Sequence, residues 1–167
     1  MALLVDIAET IADNLEAARQ ADTFSRDDFD VAWDFEGRNP LIELSDSDLH
    51  VFVFVPFKFE QTGRHDRTKM EFVASCDVIV RQKLGITGQP GAQLAKADIT
   101  ALVVLLEEIH IWFRDNARWE GDLDVEWIDD REEYKARSEI VAAYDPFYLN
   151  NHRQYYGVMR EVLKIVQ

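Results

Sequence analysis

The residue pattern predicts an α+β fold, a single domain over residues 1–167 in which a mostly antiparallel sheet of about four to five strands is covered by two helices. Two segments repeat apolar residues at three- and four-residue spacing, as a helix with one packed face does. Other segments alternate polar and apolar residues, or run apolar on both faces, as strands do. At 167 residues and 47% hydrophobic, the chain is long enough to bury one core, and its length does not require a second.

The first helix spans Leu3 to Arg19, where Leu4, Ile7, Ala8, Ile11, Leu15 and Ala18 draw a single stripe. "FDVAWDF" then alternates, with Val31, Trp33 and Phe35 on one side, and "EGRNP" ends it as a turn. "LHVFVFVPFKFE" fills both faces with β-branched and aromatic residues, the mark of a central strand. His50, Phe52 and Phe54 oppose Val51, Val53 and Val55 on it. Both sheet faces therefore need cover, the second from a loop or from another subunit.

"EQTGRHDRTK" is a polar connection, and "MEFVASCDVIVRQKL" alternates again, so the two runs are expected to pair as a long hairpin. "GITGQPGAQ" breaks the pattern as a loop, and no Gly-Lys-Ser/Thr follows that would make it a phosphate cradle. The second helix starts with Asp98 as its N-cap and carries Ile99, Leu102, Val103, Leu106, Ile109 and Phe113 on one face, ending near Arg114 to Asn116. An acidic excursion follows at about 119–140, where Leu123, Val125 and Trp127 alternate like a strand while the middle reads as loop or helix.

The chain closes on "YDPFYLNNHRQYYGVMREVLKIV". Asp145-Pro146 sets an extended or turning backbone, and Asn150-Asn151 tolerates the left-handed conformation of a tight turn. A corner therefore leads into a last strand, with Tyr155, Met159, Leu163 and Ile165 on one side and Tyr156, Val158 and Val162 on the other.

A formal charge of −14 argues against a general nucleic-acid binder, which needs clustered cations to displace phosphate counterions. The charge is uneven: Asp6 to Asp48 holds 13 acidic and 3 basic residues, His50 to Lys83 holds 4 and 6. Such asymmetry describes either solvated faces or a subunit that meets copies of itself head to tail. Cys76 is the only cysteine, which excludes disulfides within the chain and fits a reducing compartment. "MALLVDIAETIADNLEAARQ" lacks the cationic start of a signal peptide, and no apolar run reaches membrane-spanning length.

The chemical candidates are few. Glu107-x-x-His110 places a carboxylate and an imidazole on one helix face, but a di-iron site needs a second such pair and further glutamates, so it reads as a surface or partly buried polar pair. Cys76 lies mid-strand on an apolar face and reads as core, and no Gly-x-Ser-x-Gly elbow is present. His65 and His152 lie in loops, where histidines are usually solvated. No catalytic, metal or cofactor residue is expected.

The order of these features resembles the tail-terminator proteins of long-tailed bacteriophages, also described as head-tail joining or neck proteins. The resemblance rests on the helix "VDIAETIADNLEAA", the strand ending in Val55-Pro56, the polar tip with Arg64 and Arg67, and the strand "CDVIVRQKL". It continues through "ITALVVLLEEIHIWF", the "YDPFY" turn and "YYGVMREVLKIV". It covers nearly the whole chain apart from Trp119 to Ile140, which looks like an insertion, and the "DPFYLNNHRQYY" stretch is shorter than the family's turn-to-strand connection.

The resemblance implies a structural virion protein of the neck, assembled in the host cytoplasm. It implies a ring, usually a hexamer, that caps the tail tube, stops its polymerisation and meets the head-completion or connector protein. Its partners would be itself, through a heterologous interface whose rotation closes, and the tail tube protein. DNA would pass through the acidic lumen without specific binding. A head-completion or stopper protein of the same neck is the neighbouring reading; a small α+β enzyme or metal-binding protein is the reading from another class.

Two groups are expected to make the contacts. Arg64, His65, Arg67 and Lys69 sit at the tip of the polar connection, where cations on an acidic protein can reach an acidic neighbour or form a partnerless hairpin end. Phe147, Tyr148 and His152 stand on the corner, where they either dock a partner or pack on their own domain.

Overall fold

A computed structural model describes residues 3–35, 48–64, 70–84, 95–116, 118–119, 124–127 and 138–166. The first apolar stripe winds as α1 (Leu3–Gln20), burying Ile7, Ala8, Ile11, Ala12, Leu15 and Ala18. The second winds as α2 (Lys96–Asp115), burying Leu102, Leu105, Leu106, Ile109 and Phe113. Its N-cap is Ala95, without a side-chain hydrogen bond, so Asp98 is not the cap. Asp98 lies instead in the first turn, where its charge complements the helix dipole.

Among the described residues eight strands form one sheet: β1 (Asp30–Asp34), β2 (Leu49–Phe54), β3 (Lys58–Arg64), β4 (Met70–Lys83), β5 (Arg118–Trp119), β6 (Asp124–Trp127), β7 (Ser138–Ala142) and β8 (Gln154–Val166). A third helix, α3 (Pro146–His152), precedes the last strand. The α+β architecture matches the residue pattern, with more strands than the expected four to five and one short helix more than the expected two. The order β1-β2-β4-β8-β6-β5 is extended by β3 on β4 and by β7 on β8.

The sheet is built around β4 and β8, which pair antiparallel without interruption from Glu71↔Val166 to Lys83↔Gln154. Along the other edge of β4 lie β2, opposite Val78 to Gln82, and β3, opposite Met70 to Ser75. The run read as one strand is thus two. Pro56 separates them, since it has no N–H to donate to a ladder. The polar connection is shorter than expected because Glu60 to Arg64 belong to β3. β1 is the exception to antiparallel pairing, lying parallel to β2. Its expected apolar side is only partly used: Val31 packs on the core, while Trp33 and Phe35 are exposed and meet edge to face.

Alternation assigns the two sheet faces. On one face Leu49, Val51 and Val53 join Ala74, Cys76, Val78 and Val80, and Tyr155, Met159, Leu163 and Ile165, under both long helices in one continuous core. A buried side chain such as Leu106 or Met159 contributes about 1.5–3 kcal/mol there. The opposite face carries His50, Phe52, Ile79, Arg81, Tyr156 and Val158, with the Arg81 guanidinium 4.1 Å from the Phe52 ring centre. Ile79 and Arg81 are buried too, outside the helix-covered core. Both faces therefore bury residues at the sheet centre, while His50, Phe52, Tyr156 and Val158 on the second face stay half-buried.

The acidic excursion contributes β5 and β6, with the alternating Val125 and Trp127 in β6 as expected. β7, which follows, went unread because its residues were grouped with the excursion. The loop at 85–93 and the acidic middle of the excursion, 128–137, lie outside the described residues. None of the described helices is long and apolar enough to cross a membrane.

Candidate docking site

The corner before β8 is a helix, not a tight turn. Asp145 is extended (φ −103°, ψ 113°), as a residue before proline must be, and its carboxylate accepts from the N–H of Phe147 at 2.8 Å and of Tyr148 at 3.4 Å. Pro146 occupies the first helical position, where its missing N–H is no loss. Asn150 and Asn151 lie inside the helix, and the left-handed residue is Arg153 (φ 50°), which closes it. Asn151 donates to the Phe147 carbonyl instead of making a turn.

This small helix presents a cluster of rings. Phe147 is 60% exposed, with Tyr148 at 5.8 Å and His152 at 5.4 Å between ring centres. Tyr148 stacks on Tyr156 of β8 at 5.1 Å, which fastens the cluster to the sheet. Tyr144 and Val141, just upstream, are also exposed. Of the expected corner residues, Phe147 and His152 are surface-facing and Tyr148 bridges surface and strand. Tyr144, exposed two residues before the helix, was not among the expected contacts.

The expected cationic tip is a separate place. Arg64 ends β3, at the opposite end of β4 from the strand's junction with the corner. His65, Arg67 and Lys69 lie outside the described residues.

The Glu107–His110 pair does not form as expected. Glu107 is exposed, whereas His110 Nδ1 lies 2.6 Å from Ser138 Oγ of β7, and Ser138 Oγ lies 3.0 Å from Glu161 Oε1 of β8. Burial and the charge of Arg114 hold the imidazole below its usual range. Burial, reinforced by Asp77 and Glu139, pushes the Glu161 carboxyl well above its usual range despite the Ser138 hydrogen bond. The serine stands between histidine and acid, so this is not the nucleophile–base–acid order of a hydrolase. Glu161 was missed because an acid on an apolar stripe carries no signal of its partners. Among the described residues no group of three His, Cys, Asp or Glu side chains could hold a metal ion.

An open cleft of about 340 Å³ lies between the α1–β1 connection and the end of α2, lined by Thr23, Glu108, Ile111, Trp112, Asp115 and Asn116. Glu108 there accepts from both the backbone N–H and the hydroxyl of Ser25, so it ties the connection to α2.

Cys76 is fully buried on the helix-covered face, and burial pushes its thiol well above the ordinary range, which makes it a poor nucleophile. Cys76→Ser is expected to cost about 1–3 kcal/mol by burying an unpaired hydroxyl, lowering the melting temperature by roughly 2–4 °C per kcal/mol. A thermal melt that is unchanged places Cys76 outside the core.

No protein-family model matches the chain, and no curated protein does.

Proposed function

We propose that this chain is a structural subunit of a phage neck, a tail terminator that closes into a ring, caps the tail tube and joins it to the head. The observation that carries the reading is the corner, where Phe147, Tyr148 and His152 gather on one short, capped helix held to the sheet, with Tyr144 exposed just before it. Rings give large contact area at low entropic cost, as interface anchors do. The element order supports it: a first helix, the β3–β4 hairpin, a long second helix, the Asp145-Pro146 corner and a terminal strand follow the sequence resemblance in turn. The chemistry of the proposal is binding, with no bond made or broken. Arg64, His65, Arg67 and Lys69 serve as a second contact that orients copies of an acidic protein by charge and weakens with salt.

Replacing Phe147 and Tyr148 together with Ser tests this. The expected product is a folded monomer, by circular dichroism and native mass, that no longer forms rings or stops tube growth. An intact ring that still caps tubes, or a chain that no longer folds, sinks the docking role of the corner.

A further inference from the structure

Three elements meet at one buried acid. Glu161 of β8 is completely buried, on the sheet face that α2 covers. One carboxyl oxygen is bonded to Ser138 of β7, and Ser138 lies against His110 of α2. The other oxygen, Oε2, is buried and has no partner among the described residues. Across the β4 pairing lies the neutral Cys76 thiol, and two acids, Asp77 and Glu139, act on the carboxyl from the opposite face of the sheet. Asp77 is held by the Arg160 guanidinium at 2.8 and 3.1 Å, so that cation is already engaged. Among the described residues no hydrogen bond or ion pair joins Glu161 to Lys or Arg.

A carboxylate whose second oxygen meets no donor cannot persist in such a place, whereas a neutral carboxyl can. The neutral form also satisfies the chain, with Glu161 O–H donating to Ser138 Oγ and Ser138 O–H donating to His110 Nδ1. His110 and Ser138 are only partly buried, so the chain leads from the acid toward solvent. β7 is held to the sheet on one side: among the described residues it pairs with β8 alone, over four residue pairs broken by a register shift between Ile140 and Ala142.

We propose that His110, Ser138 and Glu161 form a proton-operated latch, which fastens β7 and α2 to β8 while Glu161 carries its proton and releases β7 when the proton leaves. Ionisation leaves a desolvated charge whose second oxygen has no donor, repelled more weakly by Asp77 and Glu139 from the other face of the sheet. The cheapest relief is to lift β7, whose Ser138 closes the route to water. This device is independent of the docking role of the corner.

Hydrogen exchange by mass spectrometry on the full chain, from about pH 6 to 9 and corrected for intrinsic rates, tests it. Each pH unit of ionisation-linked opening multiplies the open population roughly tenfold. The expected result is a rise of that order in residues 138–143, while residues 76–82 of β4 stay protected, and no such rise in Glu161→Gln. A flat profile in the native chain, or the same rise in the variant, overturns the latch. Infrared spectra give a second readout: a protonated-carboxyl band at about pH 7, lost in Glu161→Gln, supports it, and its absence in the native chain overturns it. Should Glu161→Gln fail to fold, Ser138→Ala decides, since it removes the bridging hydroxyl and leaves the acid. Faster exchange of β7 than in the native chain at about pH 6 supports the latch, and unchanged exchange overturns it.

Discussion

Gly157→Val is expected to destabilise the fold by about 3 kcal/mol, lowering the melting temperature by roughly 6–12 °C. Gly157 lies on β8 beneath Leu106 of α2. A Cβ at this position would lie 2.8 Å from the Tyr155 hydroxyl, 3.1 Å from the Ala143 carbonyl oxygen and 3.1 Å from Leu106 Cδ2. None can yield freely. Tyr155 is fully buried and donates its hydroxyl to the Ala143 carbonyl, so moving it breaks a buried hydrogen bond, and Leu106 is locked in the core. Gly157→Ala carries the same contacts with less bulk and should cost less. Tyr155→Phe removes the nearest atom, so Gly157→Ala should cost less in that background than alone, a coupling that a double-mutant cycle reads directly. If Gly157→Val melts with the native chain, β8 does not approach α2 this closely.

The same glycine shows what the residues alone disclose. "YYGVM" reads as a strand from its alternation, and Tyr155, Met159, Leu163 and Ile165 are buried together as that period requires. Why a glycine interrupts the stripe is legible only once α2 lies over it. The last strand and both long helices were legible for one reason: each buries a single periodic face, and period is a local property. What failed was local chemistry with more than one solution. Asp145-Pro146 fits a turn and a helix start equally, and the capping bonds to Phe147 and Tyr148 select the helix. Asn150 and Asn151 tolerate a left-handed turn but do not impose one. Pro56 broke a run whose apolar content argued for continuity. The corner's exposed rings were found by composition, because rings next to proline and asparagine seldom bury completely, whereas Ser138 and Glu161 depend on pairing across 23 residues.

Glu161→Gln is expected to stabilise the protein increasingly as pH rises. The sign follows from proton binding. Burial raises the folded-state pKa of Glu161, so above the unfolded value of about 4.3 the native chain holds a proton that the unfolded chain has released. Stability is then greatest at acid pH and falls by about 1.4 kcal/mol per pH unit until the folded pKa is reached. Glutamine has the shape of the neutral carboxyl and no proton to lose, so this slope disappears. Other groups act the opposite way: Arg19 beside Glu16 and Arg26 beside Asp28 hold those carboxyls below their usual range, and that contribution is lost as pH falls. Both pairs are at the surface, where such contacts are worth little, and both persist in the variant. Self-repulsion from the formal charge of −14 also grows with pH, and it too is nearly common to the two chains. The comparison therefore isolates one carboxyl. Urea unfolding of both proteins at about pH 5, 7 and 9 should give curves that converge at the acid end and separate toward the alkaline end, with Glu161→Gln the more stable. Parallel pH profiles would mean that Glu161 ionises in the folded chain as freely as in water, and that its second oxygen has found a donor.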